Sequence, residues 1–196
     1  VNAYSVFANQ GYLVQPVFIQ KIVDRDGNIL EEASTIREKV LEKNTAYLIT
    51  NLLEGVVKNG TGRRVRALKR PVAGKTGTSN NLFDAWFVGY SPRYITGVWV
   101  GFDEEKSLGE GEQGARTASP IWLGFMREIL KDQPIKVFQV PEGVVFAKID
   151  AETGLLPIPE SKETIFECFK EGTVPMEYTS KPDTVTEAED FFKLDM

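Results

Sequence analysis

The sequence predicts an α+β fold, with helices packed on an antiparallel sheet, and three observations carry the prediction. Two almost unbroken apolar runs, residues 85–90 and 96–102, follow a short extended segment at close spacing, the pattern of an antiparallel meander. An amphipathic stripe of helical period precedes them over residues 45–58, and a second follows over 119–130. Helix, strands and helix in that order place helices against one sheet.

In chain order, Ala3, Tyr4, Phe7 and Ala8 fall at i, i+1, i+4 and i+5 and read as a helix that Asn9-Gln10-Gly11 ends. Residue 1 is Val, and a chain that enters on a helix reads as a piece of a longer one. Residues 17–23 are rich in strand formers, Asp24-Arg25-Asp26-Gly27 is a turn, and Asn28-Ile29-Leu30 returns, giving a hairpin. From Asn44 or Thr45 as cap, Leu48, Ile49, Leu52, Leu53, Val56 and Val57 recur at helical spacing until Asn59-Gly60-Thr61-Gly62 stops them. A basic loop then leads through Pro71-Val72-Ala73-Gly74 to Lys75-Thr76-Gly77-Thr78, an extended segment.

The two apolar runs, joined by Ser91-Pro92-Arg93-Tyr94, read as strands buried on both faces. After a Gly- and Glu-rich loop at 107–114, Ser119 is expected to cap a helix with Pro120 at its first position. The apolar stripe of that helix is Ile121, Trp122, Phe125, Met126, Ile129 and Leu130. Past residue 132 the grain changes. Residues 144–149, the turn Asp150-Ala151-Glu152-Thr153-Gly154 and Leu155-Leu156 suggest a second hairpin, within an extension spanning 133–175. Residues 176–196, with Glu177, Asp183, Glu187, Glu189 and Asp190, read as a flexible polar tail.

Composition narrows function. With 196 residues, 42% of them hydrophobic and 26% charged, the chain builds a core, as one domain plus an appendage. A net charge of −5 excludes a broadly basic nucleic-acid binder. Locally, Arg63, Arg64, Arg66, Lys69 and Arg70 are five bases in eight residues, either a solvated loop or an attractor for an anionic substrate. There is no histidine, so Ser-His-Asp and Cys-His catalysis are out, and any nucleophile needs Lys or a carboxylate as its base. Cys168 is the single cysteine; no disulfide forms within the chain, and it reads as structural. No stretch approaches the roughly 20 apolar residues of a membrane-spanning helix, and no signal peptide opens the chain.

The chemistry concentrates in Lys75-Thr76-Gly77-Thr78, which puts an ammonium, two hydroxyls and a bare backbone on one extended segment. That set suits gripping a carboxylate beside a reacting carbonyl, and Gly77 lets a substrate backbone approach unobstructed. The plain alternative is a strand whose Lys and Thr face water. Alternation puts Thr76 and Thr78 on one face and Lys75 with Gly77 on the other, so Lys75 can join the threonines only through strand twist and its flexible stem. Trp86, Trp99 and Trp122 either line a glycan groove or pack in the core. Asp84 orders the strand turn or is a surface carboxylate; no catalysis is assigned to it.

These strings also resemble a known family. Gly60-Thr61-Gly62, Ala73-Gly74-Lys75-Thr76-Gly77-Thr78-Ser79, Asp84-Ala85-Trp86-Phe87-Val88-Gly89-Tyr90-Ser91-Pro92, Val98-Trp99-Val100-Gly101 and Ala118-Ser119-Pro120-Ile121-Trp122 are similar to the second half of a class A penicillin-binding protein's transpeptidase domain. The opening Phe7-Ala8-Asn9-Gln10-Gly11-Tyr12 fits it too, and Gly172-Thr173-Val174-Pro175 resembles a segment of the family's C-terminal extension. The resemblance implies an incomplete serine transpeptidase/β-lactamase-like fold over residues 1–132. The whole protein it implies is a bifunctional peptidoglycan glycosyltransferase and D,D-transpeptidase, anchored in the bacterial cytoplasmic membrane and working on its outer side. It implies no cofactor.

The same resemblance implies roles. Lys75 would be catalytic, supplying positive charge for proton transfer and for the donor's terminal carboxylate. Thr76 and Thr78 would bind that carboxylate, Gly77 would admit the donor, and the Thr78 N–H would be half of the oxyanion hole. Partners would be peptidoglycan stem peptides and β-lactams. No serine here has a lysine three positions later, and Ser79-Asn80-Asn81 follows Lys75 where the family's S-x-N precedes it. The nucleophile and its lysine are therefore expected upstream of Val1. A serine β-lactamase fragment and a non-catalytic peptidoglycan-peptide or partner-binding module are the alternatives.

Overall fold

A computed structural model of the chain describes residues 1–180. The chain divides into two compact units, Val1–Gly143 and a second that starts at Val144. The polar tail expected from residue 176 lies, from residue 181 on, outside the described residues.

The first unit begins with α1 (Asn2–Ala8), β1 (Tyr12–Val14), a hairpin of β2 (Lys21–Val23) and β3 (Ile29–Glu32), and β4 (Arg37–Lys39). β1 pairs antiparallel with β4, and β2 with β3. Three-residue strands such as β1 and β4 are too short to show a period, and the sequence reading missed both. The hairpin turn is held by the Asp24 carboxylate, which accepts the N–H groups of Asp26 and Asn28 at 2.9 and 2.8 Å. Its first strand is shorter than expected: Val17, Phe18 and Ile19 precede it and stay exposed.

α2 (Lys43–Lys58) also starts earlier than expected. Asn44 and Thr45 lie inside its first turn, and Glu42, which precedes it, makes an ion pair with Lys39 at 2.8 Å. The helix ends where the glycines predict. The N–H groups of Gly60 and Gly62 both donate to the Val56 carbonyl at 3.1 Å, folding the chain back on the last turn and leaving Thr61 exposed. The basic stretch is a 3₁₀ turn, Arg63–Leu68, rather than a loop. It buries Val65 and Leu68, three apart and so on one face of a 3₁₀ helix, and turns Arg63, Arg64 and Arg66 to solvent.

β5 (Ala73–Thr78), β6 (Asp84–Tyr90) and β7 (Ile95–Gly101) form the expected antiparallel meander, in spatial order β5-β6-β7, so β5 is an edge strand. Register fixes its faces. Thr76 pairs with Phe87 and Thr78 with Ala85 on one face; Lys75 pairs with Val88 and Gly77 with Trp86 on the other. α3 (Ala118–Leu130) covers the Phe87 face. There Phe87 and Trp122, both fully buried, meet edge to face at 5.2 Å, and Val57, Val65, Leu68, Val72, Met126 and Leu130 complete the core. Gly74 and Gly89, paired across β5 and β6, make this close packing feasible, because a Cβ on either would come within 2.9 or 2.8 Å of the Phe87 ring.

Three details differ from the sequence reading. β7 has no fully buried residue, and Trp86 and Trp99 remain 43% and 44% exposed, because α3 packs on one face of the sheet only. For the same reason Ile121 and Phe125 stay 54% and 51% exposed, while Trp122, Leu123, Met126 and Leu130 are buried. Ser119 is not the cap: it lies inside α3 and donates its hydroxyl to the Ala115 carbonyl at 2.7 Å, and Thr117 precedes the helix. Residues 133–143 belong to this unit, where Phe138 sets its ring edge-on to Tyr90 at 5.6 Å.

In the second unit β8 (Val144–Asp150) pairs with β9 (Thr164–Lys170) in unbroken antiparallel register from Val144↔Lys170 to Asp150↔Thr164. The return strand is therefore not Leu155-Leu156. The Asp150 carboxylate closes a tight turn by accepting the N–H groups of Glu152 and Thr153, and Leu156 bridges in parallel to Tyr178 instead. Ile149 and Cys168 are buried on this hairpin.

Candidate functional site

The edge strand β5 carries all four residues singled out by the sequence, and three of them have defined side-chain partners. Lys75 is exposed, and its Nζ donates to the Thr76 carbonyl at 2.9 Å. The Thr76 hydroxyl meets the Thr61 hydroxyl at 2.8 Å. The Thr78 hydroxyl accepts the N–H of Gly114 at 3.2 Å. Lys75 and the two threonines thus leave opposite faces of one strand, and the lysine reaches across the strand edge to the intervening carbonyl. Backbone and side chains together present an ammonium and two hydroxyls along a single free edge, a donor-rich surface suited to an anionic, extended ligand.

The two partners of the threonines come from distant segments. Thr61 is delivered by the fold-back of residues 59–62 on the Val56 carbonyl at the end of α2. Gly114 is delivered by the loop that enters α3, fixed by the Ser119 N–H on the Gly114 carbonyl at 2.9 Å and by a hydrogen bond from the Thr117 hydroxyl to the Glu112 carboxylate. Gly114 presses on the sheet itself: a Cβ there would stand 2.3 Å from the Trp86 carbonyl oxygen and 2.6 Å from that of Gly77. Only glycine fits so close to backbone.

Ser79, Asp84 and the tryptophans have other work. Ser79 closes the β5–β6 connection, its N–H donating to the Asp84 carbonyl at 3.1 Å and its hydroxyl accepting the Asp84 N–H at 2.7 Å. The Asp84 carboxylate accepts the Trp99 Nε1–H at 2.7 Å, so Asp84 orders both the turn and an indole. Trp86 and Trp99 meet at a tilt of 44°, 6.2 Å between centroids, on the face that Lys75 and Gly77 share; Trp122 alone of the three is in the core.

Charge is one-sided along the stretch of sequence that runs through β5. Residues 55–83 contain seven Lys and Arg and no Asp or Glu, although the chain as a whole carries −5. Arg64 donates to the Arg116 carbonyl at 3.3 Å and Arg66 to the Lys58 carbonyl at 3.2 Å, which ties the 3₁₀ turn to both segments. Among the described residues no helix is long and apolar enough to cross a membrane, and no group of His, Cys, Asp and Glu is arranged to hold a metal.

Sequence reasoning found the strand but not Thr61 and Gly114 as its partners. Both signals were visible only as glycine-rich punctuation, and neither spacing tells which strand they reach.

Comparison with known proteins places the chain in a family. A model of the penicillin binding protein transpeptidase domain matches residues 1–122, and one of the penicillin-binding protein 1A C-terminal domain matches residues 140–184. The chain is 36% identical to penicillin-binding protein 1A of Pseudomonas aeruginosa over 92% of its own length and 28% of that protein's. It is 43% identical to penicillin-binding protein 1A of Aquifex aeolicus over 88% of its own length and 24% of that protein's. The crystal structure of penicillin-binding protein 1A from Haemophilus influenzae superimposes with a TM-score of 0.83 at 30% identity, covering 91% of this chain and 32% of that one. The chain therefore spans 24 to 32% of the length of these relatives.

Proposed function

Because the chain belongs to the penicillin-binding protein transpeptidase family, we propose that it is the substrate-holding part of a serine D,D-transpeptidase that cross-links peptidoglycan stem peptides and is acylated by β-lactams. The single observation that carries this is the edge strand β5, with Lys75, Thr76 and Thr78 held ready along a free edge. In this reading residues 1–132 complete the transpeptidase domain and residues 133–175 are a C-terminal extension; the matches over 1–122 and 140–184 support a change from one to the other, and residues 133–143 pack with the first unit.

The reaction divides between this chain and the rest of the protein. A serine supplied from outside the 196 residues attacks the carbonyl carbon of the penultimate residue of the donor. An ester forms as the amide bond to the terminal D-Ala breaks, and the serine's proton ends on the departing amine. An acceptor amine then attacks the ester and regenerates the hydroxyl. The donor lies along β5 as an added strand. Thr76 and Thr78 donate to its terminal carboxylate, and the Lys75 ammonium stabilises that carboxylate and the charge that moves during proton transfer. The Thr78 N–H faces the developing oxyanion, a contribution of about 3 kcal/mol for one donor. The working site lies in the cell envelope, on the outer side of the cytoplasmic membrane.

Mass spectrometry after incubation with a penicillin tests this. The polypeptide that carries both the preceding segment and this chain gains one stable adduct, on the preceding segment, and this chain alone gains none. Rapid turnover without accumulation points to a β-lactamase, and no adduct in either case to a non-catalytic binding module.

A further inference from the structure

A hydroxyl has one hydrogen to give and two positions at which to accept, whereas a backbone N–H can only give. That difference decides what the two threonines of β5 can offer a ligand. Thr78 accepts the Gly114 N–H, so the Thr78 hydroxyl keeps its hydrogen. The Thr61–Thr76 contact at 2.8 Å can run either way. Lys75 does not settle it, since its ammonium is engaged on the Thr76 carbonyl rather than the hydroxyl. If Thr76 donates to Thr61, its hydrogen is spent. If Thr61 donates, Thr76 keeps it, and both threonines of the strand point a hydrogen at whatever binds there. A carboxylate, which only accepts, selects the second arrangement.

We propose that Thr61 and the Gly114 N–H are positioning groups that fill one acceptor position on Thr76 and Thr78, so that both hydroxyl hydrogens are committed to a ligand carboxylate. The inference rests on the transpeptidase reading above. Neither group touches the reacting carbonyl; each acts through a threonine. Both are set by rigid backbone. Thr61 sits between two glycine N–H groups fixed on the Val56 carbonyl, and Gly114 is wedged against the Gly77 and Trp86 backbone. The hydroxyl oxygens are thus held in place, and only the Thr76 hydrogen has to turn when the ligand arrives. The consequence is selectivity: the site distinguishes a free carboxylate from a neutral carboxamide through the direction of hydroxyls that Thr61 and Gly114 hold.

The test uses the polypeptide that carries the nucleophile together with this chain. Acylation efficiency is compared for two donor peptides that differ only in ending as a carboxylate or a carboxamide, after a penicillin has shown that the protein acylates. Thr61→Val keeps the side-chain shape and removes the hydroxyl. It lowers kcat/KM for the carboxylate donor about tenfold, as expected for one hydrogen bond to a charged group, and leaves the carboxamide donor within about twofold. Thr61→Ser restores the preference. Equal losses on both donors, an unchanged preference in Thr61→Val, or no recovery in Thr61→Ser overturns the inference. Wild-type protein that neither donor nor penicillin acylates overturns the transpeptidase reading itself, before any substitution is made.

Discussion

The Thr50 hydroxyl and the Tyr90 phenol meet at 2.9 Å between α2 and β6, and the direction of their bond is determined. Thr50 gives its one hydrogen to the Ala46 carbonyl at 2.8 Å, so the phenol of Tyr90 donates to Thr50. The fully buried phenol resists ionisation. Burial pushes its pKa up to about 12, opposed in part by the Thr50 bond. Its folded value lies above the unfolded one near 10, so the associated stability is fully present below about pH 10 and is lost as pH rises toward about 12. Denaturant unfolding between pH 9 and 11.5 should show wild-type stability falling by at most about 1.4 kcal/mol per pH unit from this group, and Tyr90→Phe should flatten that decline.

The core rests on the Phe87–Trp122 contact. Trp122→Ala removes the largest fully buried side chain of the unit, where the sheet backbone and α3 cannot close the gap. The expected loss is about 3–5 kcal/mol. Ile121→Ala, one residue away but half exposed, should cost well under about 1.5 kcal/mol. Equilibrium denaturation of the two variants checks the contrast, and equal losses would show that α3 packs through its other face.

Lys75 is exposed and bonds only across the strand edge to the Thr76 carbonyl, so Lys75→Ala should leave the thermal midpoint nearly unchanged. In the polypeptide carrying the nucleophile, the same change should slow acylation by a penicillin about 10- to 100-fold, the worth of a charged hydrogen bond. Stopped-flow fluorescence with a labelled penicillin gives the rate.

The second unit should be acid-sensitive at one turn. The Ser161 hydroxyl, then the Thr153 and Glu152 N–H groups, hold the Asp150 carboxyl below its ordinary value of 3.8. A depressed carboxylate stabilises the fold above its unfolded pKa, and the stabilisation is lost as pH falls through the folded value. The amide resonances of residues 144–170 should therefore broaden or shift below about pH 4 in wild type. Asp150→Asn, unable to ionise, should remove that dependence.

How much of this was legible in the sequence follows from what each signal encodes. The meander was readable because residues 85–90 and 96–102 are long apolar runs, and the observed strands β6 and β7 fall on them within a residue or two. The strand bearing Lys75 was readable from its chemistry. Exposure was not: a run of apolar residues does not say how many faces will be covered, so Trp86, Trp99, Ile121 and Phe125 were assigned more burial than they have. The partner of β8 was missed because the Asp150 turn suggested an immediate return, although Thr164, Ile165, Phe166 and Phe169 carried a strand signal further on. Thr61 and Gly114 lie 15 and 36 residues from the threonines they touch, and such a contact is decided by how α2 and the loop before α3 meet the sheet.

In the proposed function β5 grips the carboxylate of an acyl donor. That grip is tested most directly by a crystal structure of the penicillin adduct of the polypeptide that carries the nucleophile and this chain. The ligand carboxylate is expected within about 3 Å of both the Thr76 and Thr78 hydroxyls, with the acyl oxygen on the Thr78 N–H. An adduct whose carboxylate points to solvent, or is held by groups away from β5, would contradict it.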